Sequence, residues 1–231
     1  MFDKIIDGFV KTFIAEDRYK MFLNGFWNTI QIAFVATVIG VVIGAIVAII
    51  RVFNKQTGKL RLLSLICEIY TTVIRGTPVV VQLLITYNII FAWSTKAVLI
   101  GMIGFGLNSG AYVAEIMRGG INSVDPGQLE AARAVGLPFS TSMIKVVIPQ
   151  AVKNILPTMG NEFIALIKET AIVGYVGAVD ITKAFQDQGS NSYEYMIPYL
   201  VMALLYIVIV AAIASLIKLM ERRLARSERH S

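Results

Sequence analysis

The chain has 231 residues, of which 56% are hydrophobic and 16% charged, with a formal net charge of +6 and a mean hydropathy of +0.70. Soluble domains carry about 25% charged residues, so this composition excludes a soluble globular protein and indicates an integral membrane protein. A single cysteine, Cys67, and a single histidine, His230, exclude a disulfide framework, a Cys- or His-based metal site and Ser–His catalysis.

The first twenty residues contain Asp3, Asp7, Glu16 and Asp17 and no continuous apolar run, which argues against a secretory signal. Phe2, Ile5, Ile6, Phe9, Val10 and Phe13 recur at helical spacing, so residues 1–20 are expected to form an amphipathic helix lying on the membrane surface. Five apolar stretches follow, at about 22–50, 62–93, 97–117, 155–179 and 196–220. Each is long enough to cross a bilayer. Each is expected to be helical, because an isolated strand leaves backbone groups unpaired in lipid. The fold class is therefore all-α: five transmembrane helices within 21–223, and a basic tail at 224–231.

The second stretch is interrupted by Arg75-Gly76-Thr77-Pro78. Pro78 removes an N–H and Gly76 loosens the backbone, so one span that breaks or bends there is expected, in preference to two halves of a re-entrant hairpin. In the third stretch, Gly106 and Gly110 are spaced for close helix packing, as are Gly40 and Gly44 in the first. No Lys-Ser/Thr follows the glycines of the third stretch, so they are not a nucleotide loop.

Lysine and arginine set the orientation. Loop 51–61 holds four, loop 118–153 four and tail 218–231 five, whereas the opposite loops hold Lys96 and Lys183 besides four in the N-terminal helix. The two loops and the C-terminus are thus expected in the cytoplasm, and the N-terminus outside.

Loop 125–149 is more ordered than a solvated linker needs to be. Asp125 suits an N-cap, Pro126 the first helical position and Gln128 the return bond of a capping box. Gly136 and then Pro138 end the helix, and a second segment from about Ser140 leads into the fourth span. Leu129, Ala132 and Gly136 fall on one small apolar face, with Glu130 and Arg133 pointing elsewhere. So short a helix needs something to pack on. Its spacing fits either a partner's groove or a helix lying at the interface.

Glu130-Ala131-Ala132, three residues, Gly136, nine residues and then Val146-x-Ile148-Pro149 resemble the EAA loop of ABC importer permeases, with Val146 and Ile148 where that family prefers Ile and Leu. Three further stretches resemble the polar amino-acid subgroup, the histidine, glutamine and arginine importers: 75–84, 108–136 and 148–174. The resemblance covers about 25–223. It implies a type I importer fold whose EAA segment is a coupling helix seated on a separate ATPase subunit. Gln128, Glu130, Ala131, Ala132, Arg133 and Gly136 would make that contact. It implies ATP and Mg on the partner ATPase dimer with no cofactor on this chain. It also implies an extracytoplasmic amino-acid-binding protein, a second permease copy or paralogue, and no nucleic acid.

Ionisable residues inside spans are functional candidates by default. Glu162, beside Gly160 and Asn161, is a candidate to bind an ammonium group, a role the resemblance supports; Asn108 and Asn161 are candidate companions. Arg75 fits either a substrate carboxylate or the cap of the broken helix at Gly76 and Pro78. Glu115 and Arg118 are spaced to pair. Lys168 and Glu169, adjacent and therefore about 100° apart on a helix, are expected to meet other helices or a gate. The rival reading, an ion- or proton-coupled carrier, is suited by a broken helix and an intramembrane Glu162. Against it stand the odd number of spans, the lack of an internal repeat and an EAA loop without a task.

Overall fold

The computed structural model describes residues 17–228, with side chains to 222. It is helical throughout these residues. The expected surface helix at 1–20 falls almost entirely outside them.

Helix α1 spans Tyr19–Thr57 and ends at Gly58, whose φ of 68° gives the left-handed turn that only glycine adopts cheaply. Helix α2, Arg61–Gly76, and α3, Val79–Ile85, meet at Pro78 with their axes bent by 110°. A widened π turn, Thr86–Ile90, extends α3. Both pieces pack on the next long helix. Cys67 packs with Ala114, Tyr70 donates to the Leu107 carbonyl, and the side chains of Leu83 and Thr86 lie against Gly104. The second stretch breaks at Gly76–Pro78, where the glycine and proline predict a break.

Helix α4, Ala97–Asn122, is the central element, and α1 lies against it along much of its length. A methyl added to Gly40 would meet Ser109 Oγ at 2.7 Å, and one on Gly110 would meet Ile43 Cγ2 at 2.8 Å. The glycine pairs therefore bring the two backbones together, as their spacing predicts. The short cytoplasmic-loop helix α5 is Pro126–Ala134. Phe139–Ser142 (α6) runs through a π turn at Met143–Val147 into α7, Ile148–Glu169. The π turn falls where Pro149 can donate no hydrogen bond.

The fourth stretch differs from a plain span. It tightens to a 3₁₀ turn at Thr170–Val176 and stops at Gly177 (φ 83°). An unexpected helix, α8, follows at Ile181–Ser192, capped by the buried Asp180, which accepts from the N–H groups of Thr182 and Lys183. Burial pushes the Asp180 carboxyl above its ordinary range, and those two N–H groups pull it back. Asn28 and Thr29 of α1 bond the backbone at Val179 and Ile181, so α8 is sewn to the beginning of α1. Helix α9, Met196–Glu228, continues through the boundary at 223/224, so the expected basic tail is helical as far as Glu228.

The main core joins Ile32, Ala33 and Ala36 of α1, Leu83, Phe105, Leu166 and Ile167, and Phe185 of α8. By length and apolarity, α1, α4 and α9 each suffice to cross a membrane among the described residues, and α2 and α3 do so only when taken together as one span. Helix α7 carries Gln150, Lys153, Asn154, Asn161, Glu162, Lys168 and Glu169 within its 22 residues. That polarity sets it apart from the other four runs.

Candidate functional site

Pro78 has no N–H to give the Ile74 carbonyl four residues back. Gln82 replaces it: its Nε2 donates to the carbonyls of Ile74 (2.6 Å) and Thr77 (3.0 Å) and lies 2.8 Å from Thr77 Oγ1. The same side chain accepts, through Oε1, a 2.9 Å bond from Asn108 Nδ2 on α4. Asn108 is thereby fixed, and it is 3% exposed. Its neighbour Ser109, fully buried, donates to Glu162 Oε1 on α7 at 3.1 Å. Two hydrogen bonds, Gln82–Asn108 and Ser109–Glu162, thus tie the break in the second stretch and the middle of α7 to consecutive residues of α4; this polar chain is continuous through the α4 backbone, with no bond between the Asn108 and Ser109 side chains. Among the described residues Glu162 Oε2 makes no hydrogen bond, and it is not sealed away from solvent.

The expected companions divide. Asn108 joins this chain. Asn161 is exposed and makes no hydrogen bond to Glu162, since adjacent positions on a helix point about 100° apart. Gly160 lies close against Ile217 of α9, where an added methyl would meet Cδ1 at 2.7 Å. Arg75 lies over the Tyr112 ring, 5.5 Å from its centre. It does not cap the broken helix; Gln82 and Thr77 do so. Lys168 is exposed and Glu169 half-buried, and neither has an ion-pair partner among the described residues. Glu162 and Glu169 are two turns apart on one face of α7.

Glu115 pairs with Arg118 through Nη2 (2.6 Å) and Nε (2.9 Å), as its spacing predicts. It also accepts from Arg51 of α1, a partner 64 residues away that no local pattern indicates. One carboxylate so ties α1 to α4 at the end near the loop.

On α5, Asp125 accepts from the Gly127 N–H at 2.8 Å with Pro126 at the first position, as expected. The capping box is not completed: Gln128 turns away and accepts from Gln150 Nε2 at 3.3 Å. Gly136 ends the helix at φ 86°, where Leu137 N–H bonds the Ala132 carbonyl. The predicted common face of Leu129, Ala132 and Gly136 is not one face. Leu129 packs inward on a cluster of Val124, Met143, Val147 and Ala151 and Ala132 is buried within its own chain, while Gly136 is exposed and a methyl there would meet nothing. The outward surface is Glu130, Ala131, Arg133, Ala134 and Val135.

The description of binding-protein-dependent transport system inner membrane components matches residues 40–226. The chain belongs to that family. It is 35% identical to the arginine transport system permease protein ArtQ of Bacillus subtilis, over 89% of this permease and 93% of ArtQ. It is 39% identical to GlnP of Rickettsia bellii, named as a glutamine transport system permease, over 87% and 92% of the two chains. The crystal structure of an amino acid ABC transporter with histidines superposes with a TM-score of 0.82 at 40% identity, covering 89% of this chain and 94% of that one. The fold also matches the inward-facing MetNI methionine ABC transporter, at TM-score 0.78 and 19% identity. The permease thus has the type I ABC importer fold and is the membrane subunit of an ATP-driven importer; the ion-coupled carrier reading falls. Such a subunit works with an ATPase and a binding protein.

Proposed function

We propose that this permease carries a polar or cationic amino acid, with the polar chain from Gln82 to Glu162 at its translocation path. The free Oε2 of Glu162 takes the substrate's ammonium or guanidinium group. Glu169, two turns along the same face, extends the negative lining. Asn108 supplies an amide to the substrate once Gln82 releases it. Asn161 and Arg75 flank this path as outer contacts. Lys168 and Glu169 stand at its end as gate residues.

With the polar α7 counted as a crossing beside α1, α2–α3, α4 and α9, we place the N-terminus outside and the C-terminus in the cytoplasm, the side that the lysine and arginine distribution favours. Helix α5 then faces the cytoplasm. Its outward residues Glu130, Ala131 and Arg133 enter a cleft of the ATPase dimer, where ATP and Mg are bound, and Gly136 lets the chain turn away without obstructing it. A second permease copy or paralogue completes the pathway, and an extracytoplasmic binding protein delivers the substrate.

The observation that carries this reading is the Ser109–Glu162 contact, which aims a half-satisfied carboxylate into the bundle beside a buried amide. The test is uptake of labelled arginine, histidine and glutamine by the co-expressed complex in proteoliposomes. Uptake that needs ATP and the binding protein is expected. Uptake driven by an ion gradient without ATP would contradict it.

A further inference from the structure

At the loop end of the bundle, the last turns of α1 and α4 and the inner side of α5 enclose a cavity of about 300 Å³. That is the lower end of the size range of ligand pockets. Arg51, Lys55 and Arg118 line it. The first and third are held together because both bond Glu115, and Lys55 follows Arg51 by one helical turn. Positive charge is in excess there. Three cations, Arg51, Lys55 and Arg118, stand against two carboxylates, Glu115 between the guanidiniums and Asp125, which also lines the cavity, and Lys55 has no ion-pair partner among the described residues. The remaining wall is apolar, with Val52, Ile121 and Met143.

We propose that this cavity binds the phosphate of an anionic phospholipid, with Arg51, Lys55 and Arg118 on the phosphate and Val52, Ile121 and Met143 against its glycerol and first acyl carbons. A basic pocket between helix ends on the cytoplasmic side is suited to acidic headgroups. The apolar wall favours a lipid over a free anion, which would gain nothing from it. Since Leu129 of α5 also lines the cavity, a bound lipid would brace α5 against α1 and α4. The inference rests on the cytoplasmic placement of this end and is independent of the substrate.

The test is native mass spectrometry of the full-length chain released from nanodiscs of phosphatidylcholine containing phosphatidylglycerol. Wild type is expected to retain phosphatidylglycerol. Lys55→Glu should lower retention at least about fivefold, the effect of one lost cation at a membrane surface. Lys55→Arg should preserve it. Lys59→Glu, the same charge change on the exposed loop outside the cavity, should leave it near wild type. Equal retention by Lys55→Glu and wild type, or equal losses in Lys55→Glu and Lys59→Glu, would overturn the site. In a second arm, inorganic phosphate or glycerol 3-phosphate is added at millimolar concentration. Displacement of the lipid by either would overturn the lipid as occupant and assign the cavity to a soluble anion; no displacement supports the lipid. Lipid retention is read without transport, so failure of the permease reading would not alter it.

Discussion

Ser109 on α4 donates a 3.1 Å hydrogen bond to Glu162 on α7, 53 residues later. The same Ser109 hydroxyl is what Gly40 of α1 avoids: a methyl on Gly40 would stand 2.7 Å from it. Helix packing and the candidate site are therefore coupled through one oxygen atom.

Gly40→Ala should consequently act on transport as well as on stability. Overpacking a tight helix contact costs about 1–3 kcal/mol, and here the strain falls on the donor to Glu162. Thermal unfolding in detergent should show the loss, and uptake kinetics should show a raised KM. A variant with lowered stability and an unchanged KM would separate the packing from the site.

Gln82 closes the wound that Pro78 makes in the second stretch. Gln82→Ala leaves the Ile74 carbonyl without its donor and the buried Asn108 amide without its acceptor, at a cost of about 1–3 kcal/mol. Gln82→Glu should be worse, because a carboxylate cannot donate to Ile74 or Thr77. Unfolding midpoints of the two variants beside wild type check this order; a Glu variant as stable as wild type would refute it.

Much of this architecture is legible in the residues. The interrupted stretch at Gly76 and Pro78, the glycine pairs, the Asp125 cap and the stop at Gly136 all act through local rules, and each stands where those rules put it. What escaped depends on contacts far apart in the chain. Arg51 reaches Glu115 from another helix, and Ser109 is one hydroxyl among many until α7 is laid beside it. Gln82 had a usable signal, since it lies four residues after Pro78, one turn into the helix that follows the break. Helix α8 had one too, in Asp180 ahead of Ile181-Thr182-Lys183. Its apolar residues merge with the fourth stretch and hide it. The face of α5 is not legible in the sequence, because an apolar stripe does not say whether the chain's own cluster at Val124 and Met143 or a partner will cover it.

Glu115 bridges two guanidiniums, and its loss leaves them facing each other unscreened. Glu115→Ala should destabilise by on the order of 2–3 kcal/mol, below the 3–5 kcal/mol of a fully buried pair. Arg118→Ala should cost less than Arg51→Ala, since Arg118 is 41% exposed and Arg51 20%. Denaturation of the three variants gives the ranking, and an Arg118 variant less stable than the Glu115 variant would contradict it.

The outward side of α5 predicts separable coupling defects. Glu130→Lys changes an exposed charge without touching the inner cluster, and Gly136→Val strains a residue at φ 86° while adding no clash. Both variants should insert and fold, yet lose substrate-stimulated ATP hydrolysis by the complex. Ala132→Leu should instead unseat α5 from its own protein and lower stability. Normal coupling in Glu130→Lys and Gly136→Val would place the ATPase contact elsewhere.

The central claim is that Glu162 handles substrate. Glu162→Gln keeps the shape and an acceptor for Ser109 while removing the charge. Measured in proteoliposomes with the ATPase and binding protein, it should raise KM for a cationic amino acid about tenfold or more, the equivalent of one charge-assisted hydrogen bond, while ATPase association is unchanged. Uptake kinetics equal to wild type in Glu162→Gln would contradict the account and make Glu162 a structural residue.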